Sequence, residues 1–244
     1  MHTKIFAHRG ASKYAPENTM PAFDLALKQG ADGIETDVQL TKDGVPVLIH
    51  DENVRRTSNG KGLVKDLTFK QLQTLDMGSW FSNEFAGTQI VSLESFLKWI
   101  KDKPIHLNIE LKNNKIDYQD LEKIVLDQLV NFQLLNRTTI STFNPKSVMR
   151  LQELTDKVDI AFLTSKRMKY FTHYAKELGA SSIHIKYRLL NADIMTESKQ
   201  QQLNVRVYTV NRPAHLIRCF NLKCTGVFTD VPDIAIDYRE LCSK

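Results

Sequence analysis

Short runs of β-branched and apolar residues alternate with longer amphipathic segments along the whole chain. That pattern constrains the fold more than any other feature. Strands joined by helical crossovers must be parallel, with helices covering the sheet. The strand candidates are Ile5–Ala7, Gly33–Leu40, Val45–Ile49, Ile105–Leu111, Thr138–Phe143, Asp159–Leu163, Ser182–Lys186, Val205–Val210 and Gly226–Thr229. Between most of them lie helix candidates with apolar residues at three- and four-residue spacing. These are Thr19–Gln29, Leu93–Ile100, Asp120–Leu134, Pro145–Leu154, Tyr170–Leu178, Ala192–Gln201 and Pro213–Leu222.

No linker, low-complexity tract or composition break divides the 244 residues, so the chain reads as one domain, 1–244. Barrels of eight βα units commonly run to ~250 residues. A closed α/β barrel is favoured over an open doubly wound sheet for two reasons. No glycine-rich dinucleotide loop follows the first strand, and polar residues end many strands, not those at one switch point. Nine strand candidates are one too many for eight. Asp43-Gly44 is a hairpin-turn signal and makes Gly33–Leu40 and Val45–Ile49 antiparallel neighbours. A two-residue turn there pairs Lys42 with Val45 and sets Asp37 across from His50. Strand alternation also puts Glu35 and Asp37 on one face. The segment at about 54–91 lacks a clear crossover helix and is too long for an ordinary barrel loop. It reads as a small inserted subdomain after the third strand, lying over the strand ends.

The chemistry gathers where strands stop. His8-Arg9-Gly10, Glu35-Thr36-Asp37, His50-Asp51 and Glu110-Leu111-Lys112 all end apolar runs, the place where α/β barrels carry their sites. Two histidines can move protons near neutral pH. Glu35, Asp37 and Glu110 follow buried-looking runs, and buried carboxylates are costly without a cation or donors. Three carboxylates without a cysteine suit Mg²⁺ or Ca²⁺. Arg9 and Lys112 add positive charge for a phosphate. The competing readings are strand-end histidines held by hydrogen bonds and a buried ion-pair cluster. His106, His173, His184 and His215 have no such company and read as structural or exposed. Weaker strand-end signals are Ser141–Asn144, Lys186, Tyr208–Asn211 and Thr229-Asp230, each either pocket lining or ordinary loop.

The net charge of +5 is mildly basic and compatible with an anionic small-molecule substrate. The basic residues are scattered, which argues against nucleic acid; the densest run, Lys166–Lys169, reads as a solvated helix start. No run reaches the ~18–20 apolar residues of a membrane span, so no membrane insertion is expected. The N-terminus lacks the apolar core of a signal peptide, and the expected location is cytoplasmic. The three cysteines (Cys219, Cys224, Cys242) are odd in number and match no zinc spacing. Reduced thiols are the expectation. Oligomeric state is not legible.

Those motifs, taken with Pro16-Glu17-Asn18-Thr19, Arg56–Gly60, Gly78–Phe81, Val207–Asn211 and Gly226–Pro232 in this order, resemble the glycerophosphodiester phosphodiesterase family. The resemblance spans nearly the whole chain. It implies a TIM-type (β/α)₈ barrel with a small insertion, and metal-dependent hydrolysis of glycerophosphodiesters to sn-glycerol 3-phosphate and an alcohol. It further implies His8 and His50 as the acid/base pair and Glu35, Asp37 and Glu110 as ligands of one divalent cation, Mg²⁺ or Ca²⁺. Arg9 and Lys112 match phosphate contacts, and Glu17 and Asn18 a supporting motif. The nucleophile is left open between water and the glycerol 2-hydroxyl. Two positions depart from the family pattern: Tyr208 stands where tryptophan is usual, and Val91 replaces a common proline. Lysophospholipids or glycerol-phosphate polymers as substrates, or a non-catalytic phosphate-binding barrel, are the alternatives.

Overall fold

The computed structural model describes residues 2–243. Eight parallel strands close into a ring. They are β1 (Lys4–His8), β2 (Gly33–Leu40), β4 (His106–Leu111), β5 (Thr138–Thr142), β6 (Asp159–Thr164), β7 (Ser182–Lys186), β8 (Asn204–Tyr208) and β9 (Gly226–Thr229). Closure comes from β1, which bonds to both β2 and β9. The ninth strand, β3 (Pro46–Leu48), lies outside the ring and pairs antiparallel with β2. The architecture is therefore the expected TIM-type barrel, and the hairpin accounts for the surplus strand.

Helices cover the outside of the ring, except α2 (Phe69–Gln73), which lies in the segment beside β3. In chain order they are α1 (Met20–Lys28), α2 (Phe69–Gln73), α3 (Leu93–Ile100), α4 (Leu121–Asn131), α5 (Pro145–Leu154), α6 (Phe171–Glu177), α7 (Ala192–Gln200), α8 (Pro213–Asn221) and α9 (Pro232–Cys242). Helix α3 shows how the sequence builds one. Ser92 Oγ accepts from Ser95 N at 3.1 Å and caps its first turn. Leu93, Phe96, Leu97 and Ile100 then recur at helical spacing and bury one stripe against the strands. Helix α9 went unread in the sequence. It starts at Pro232 and packs on α8 and β1, so it closes the outer layer where the chain ends.

The hairpin register differs from expectation by one residue. Thr41 N donates to Val45 O and Gly44 N to Thr41 O, so three residues, Lys42–Gly44, form the turn. Gly44 takes φ +77°, the left-handed conformation that a three-residue hairpin loop requires. Val38 then pairs with Leu48, and Asp37 faces Ile49. A one-residue slip moves alternate side chains to opposite faces, so direct pairing does not bring His50 to Asp37. The topology does so differently. Strand β1 ends with His8 opposite Glu35, and β3 runs down the same side of β2 toward it. Two strands from opposite directions thus deliver His8 and His50 to neighbouring positions along β2.

Residues 54–91 contain three 3₁₀ turns and α2. Val54, Val64, Leu72, Met77 and Ile90 join Val47 and Ile49 in a small apolar cluster of their own. The segment therefore braces the outer side of β3.

The turn after β1 is tight. Arg9 and Gly10 both adopt positive φ, 58° and 83°. A Cβ on Gly10 would lie 2.6 Å from the backbone carbon of Ala22 in α1. Gly10→Ala combines a strained φ with overpacking and is expected to destabilise the fold by about 2–4 kcal/mol, read from urea unfolding.

Candidate active site

The C-terminal ends of the strands frame a cleft of about 400 Å³. His8, Arg9, Glu35, His50, Glu110 and Lys112 all line it, with Asn108, Phe143, Leu163, His184, Lys186, Tyr208, Thr209 and Phe228 completing the wall. Six of the seven sequence-predicted site residues thus share one cavity, and the seventh, Asp37, is buried beside Glu110 in the β2–β4 register. No residue from 51 to 107 lines the cleft. The insertion therefore contributes no lining residue to this cleft. A larger cleft of about 510 Å³ sits over the loops after β6 and β7, but neither the carboxylate cluster nor the two strand-end histidines reach it.

Glu35, Asp37 and Glu110 converge because β2 and β4 are neighbours in register, with Asp37 beside Glu110. One carboxylate oxygen from each lies within 4.8 Å of the other two. A single cation with oxygen ligands at about 2.0–2.6 Å can bridge such a spacing. Burial is the main force on Glu35, and the adjacent Asp37 and Glu110 charges add to it; together they push its carboxyl well above the usual range. Burial also acts on Asp37, but Arg9, Lys112, His50 and the Asn18 amide outweigh it and hold that carboxyl below the usual range. Asp37 Oδ1 nevertheless has no hydrogen-bond partner in the protein. Lys112 Nζ approaches it only to 3.7 Å. An all-oxygen donor set with one unused, buried carboxylate oxygen fits a hard divalent cation.

The cationic side chains are fixed by these carboxylates. Lys112 Nζ donates to Glu110 Oε1 at 2.7 Å. Burial opposes its charge, but Glu110 and Asp37 raise its pKa above the ordinary lysine value. Arg9 donates through its backbone N–H to Glu35 Oε2 (2.9 Å) and through Nη1 to Glu17 Oε1 (2.9 Å). Its Nε sits 3.2 Å from Asp37 Oδ2, an ion pair without hydrogen-bond alignment. The left-handed φ of Arg9 is what turns its N–H onto Glu35. Asn18, also at positive φ, donates to Asp37 Oδ2 and accepts from Thr36 Oγ1. The Glu17-Asn18 motif therefore clamps Arg9 and Asp37.

Each histidine is held by a carboxylate that sequence reasoning had not assigned. His8 Nδ1 lies 2.7 Å from Asp230 Oδ1, and His50 Nδ1 lies 2.6 Å from Asp51 Oδ1. Asp230 also accepts from Ser12 Oγ and Asn211 Nδ2. Burial opposes its ionisation, but these bonds and His8 bring its pKa down to about 2. Asp51 reaches about 2 in the same way, through Arg56 and His50. Both carboxylates stay charged throughout the neutral range, so each holds its ring through Nδ1, and neither Nε2 makes a hydrogen bond among the described residues. Arg56 continues the chain, bonding Asp51 with Nε and Glu17 with both terminal nitrogens. The signals were present: Asp51 follows His50 directly, and Asp230 ends the last strand. Nothing local in the sequence says which histidine Asp230 meets. His184, read as structural or exposed, is fully buried and lines the cleft.

Fold and site together define a barrel hydrolase for phosphodiesters. Residues 8–234 match the glycerophosphoryl diester phosphodiesterase family, and the chain belongs to it. A glycerophosphodiester phosphodiesterase from Bacillus altitudinis is 39% identical over 98% of both chains. The crystal structure of a glycerophosphodiester phosphodiesterase from Agrobacterium tumefaciens is 30% identical, superposes with a TM-score of 0.84 and covers 96% of this chain and 99% of its own. An Oleispira antarctica phosphodiesterase, solved with the product sn-glycerol-3-phosphate, is 27% identical with a TM-score of 0.88 over 98% and 97%. Among the described residues no helix is long and apolar enough to cross a membrane.

Proposed function

We propose that the protein hydrolyses soluble glycerophosphodiesters to sn-glycerol 3-phosphate and a free alcohol. The observation that carries this reading is the single cleft that holds two carboxylate-anchored histidines, a three-carboxylate cluster and two fixed cations. Glu35, Asp37 and Glu110 would hold one divalent cation, Mg²⁺ or Ca²⁺. A bound cation of this kind supplies charge neutralisation for the non-bridging phosphate oxygens. Arg9 and Lys112 bind those same oxygens and are held rigid by Glu17, Asp37 and Glu110, so little reorganisation accompanies charge build-up. One histidine removes a proton from the attacking oxygen, that of water or of the glycerol 2-hydroxyl. The other donates a proton to the leaving alcohol. Proton transfer at Nε2 changes the ring's charge, and Asp230 or Asp51 stabilises the imidazolium at Nδ1. The free cysteines fit a reducing, cytoplasmic setting.

Product analysis tests this reading. Glycerophosphocholine incubated with the protein and Mg²⁺ or Ca²⁺ is expected to yield glycerol 3-phosphate and choline. Phosphocholine and glycerol as products would place the cut on the wrong side of the phosphate and refute the assignment.

A further inference from the structure

We propose that the loop between β6 and α6, together with the 3₁₀ turn after β7, is a docking surface for an anionic lipid bilayer. The basic run Lys166–Lys169 reads in the sequence as a solvated helix start. It lies instead in a loop, since β6 ends at Thr164 and α6 begins at Phe171. The run and Arg188, from the turn after β7, line the cleft of about 510 Å³.

Lys166, Arg167, Lys169 and Arg188 are all exposed. None of them forms an ion pair among the described residues, whereas surface cations elsewhere, such as Lys115, Lys123 and Arg150, do. Arg188 Nη2 donates to the Ser165 carbonyl at 2.6 Å, which ties the two segments together. Asp193 and Glu197 are the acids on the same wall, so four cations face two carboxylates. Lys186, also exposed, carries the positive surface on to the rim of the catalytic cleft. Cations crowded in this way repel one another, and a surface of many negative charges relieves that repulsion.

Two apolar side chains stand among these charges. Met168 is 43% exposed and Tyr170 is 67% exposed. Tyr170 takes φ 57°, an unfavourable conformation for a bulky residue, and burial within this chain does not account for its ring. The Lys169 ammonium lies 4.8 Å from that ring's centroid. Lysine and arginine interleaved with an aliphatic and an aromatic side chain suit the boundary between lipid headgroups and acyl chains. Single-stranded nucleic acid would call for several aromatic faces on which bases stack, and this loop offers one tyrosine. Strands β6 and β7 end in both clefts: Leu163 and Lys186 line the catalytic one, Thr164 and Arg188 the basic one. A bilayer bound here therefore lies next to the catalytic cleft.

The test uses the whole protein and its sedimentation with vesicles of phosphatidylcholine, alone or with about one-third phosphatidylglycerol. The parent is expected to bind the anionic vesicles roughly tenfold or more tightly and to be released as salt rises to about 0.5 M. Lys166→Glu combined with Lys169→Glu should weaken that binding roughly 30-fold. Met168→Ser, which keeps every charge, should weaken it roughly threefold. Lys199→Glu combined with Lys223→Glu makes the same change in net charge beside the N-terminal ends of the strands, where both residues line a different cleft. That pair should weaken binding by no more than about threefold. Equal binding of the parent to both kinds of vesicle, equal losses in the two paired variants, or binding to polyuridylate but to neither vesicle overturns the docking surface. Hydrolysis of glycerophosphocholine without vesicles should be unchanged in the loop pair, since neither lysine lines the catalytic cleft. Vesicle binding without hydrolysis defeats only the catalytic reading. Hydrolysis without vesicle binding defeats only the docking surface.

Discussion

Alanine at His8 or at His50 is expected to lower kcat by about 10²–10⁴-fold, the usual contribution of a positioned acid or base. That loss corresponds to roughly 3–5 kcal/mol of transition-state stabilisation. Folding should survive, because both rings sit at strand ends with side chains 19% and 31% exposed. Groups that act in one proton-transfer sequence are non-additive. The double variant should therefore fall little below the weaker single variant. Steady-state kinetics on glycerophosphocholine check both points. Near-parental turnover by either single variant would remove that histidine from the mechanism.

Loss of the divalent cation should be as severe, and Glu35→Gln isolates it. Burial and the charges of Asp37 and Glu110 disfavour the ionised form of Glu35. A neutral glutamine is therefore expected to fold at least as stably in cation-free buffer, and its amide oxygen can still accept the Arg9 N–H. The parent should gain stability when cation is added, about 2.7 kcal/mol at a hundredfold excess over Kd. In a chain of this length that is a shift of roughly 5–10 °C. Glu35→Gln should lose most of that shift and most of its activity together. A full thermal shift in Glu35→Gln would place the cation elsewhere.

Much of this site was legible because its residues end strands. Barrel topology gathers strand ends, so His8, Glu110 and Lys112 needed only the correct strand assignment to be placed together, and the β1–β2 register sets Glu35 opposite His8. The hairpin was legible in Asp43-Gly44, but its loop length was not. Two- and three-residue turns both accept Asp-Gly, and only the backbone bond from Thr41 N to Val45 O decides between them. His50 reached the cleft through the meeting of β1 and β3, a consequence of ring closure that no local pattern carries. The pairing of Asp230 with His8 joins the two ends of the chain, 222 residues apart. Local spacing does not report contacts of that kind. His184 shows the converse limit. It sits in an alternating strand, and its burial and its bond to Arg206 depend on which strands became neighbours.

The central claim is that Glu35, Asp37 and Glu110 bind a divalent cation that the two-histidine cleft requires to cleave a glycerophosphodiester. The most direct test is release of choline from glycerophosphocholine by protein stripped with chelator, before and after Mg²⁺ or Ca²⁺ is restored. The stripped protein should be inactive, and restored cation should return release of choline and glycerol 3-phosphate in equal amounts. Undiminished release after stripping, or none with either cation, would contradict the account.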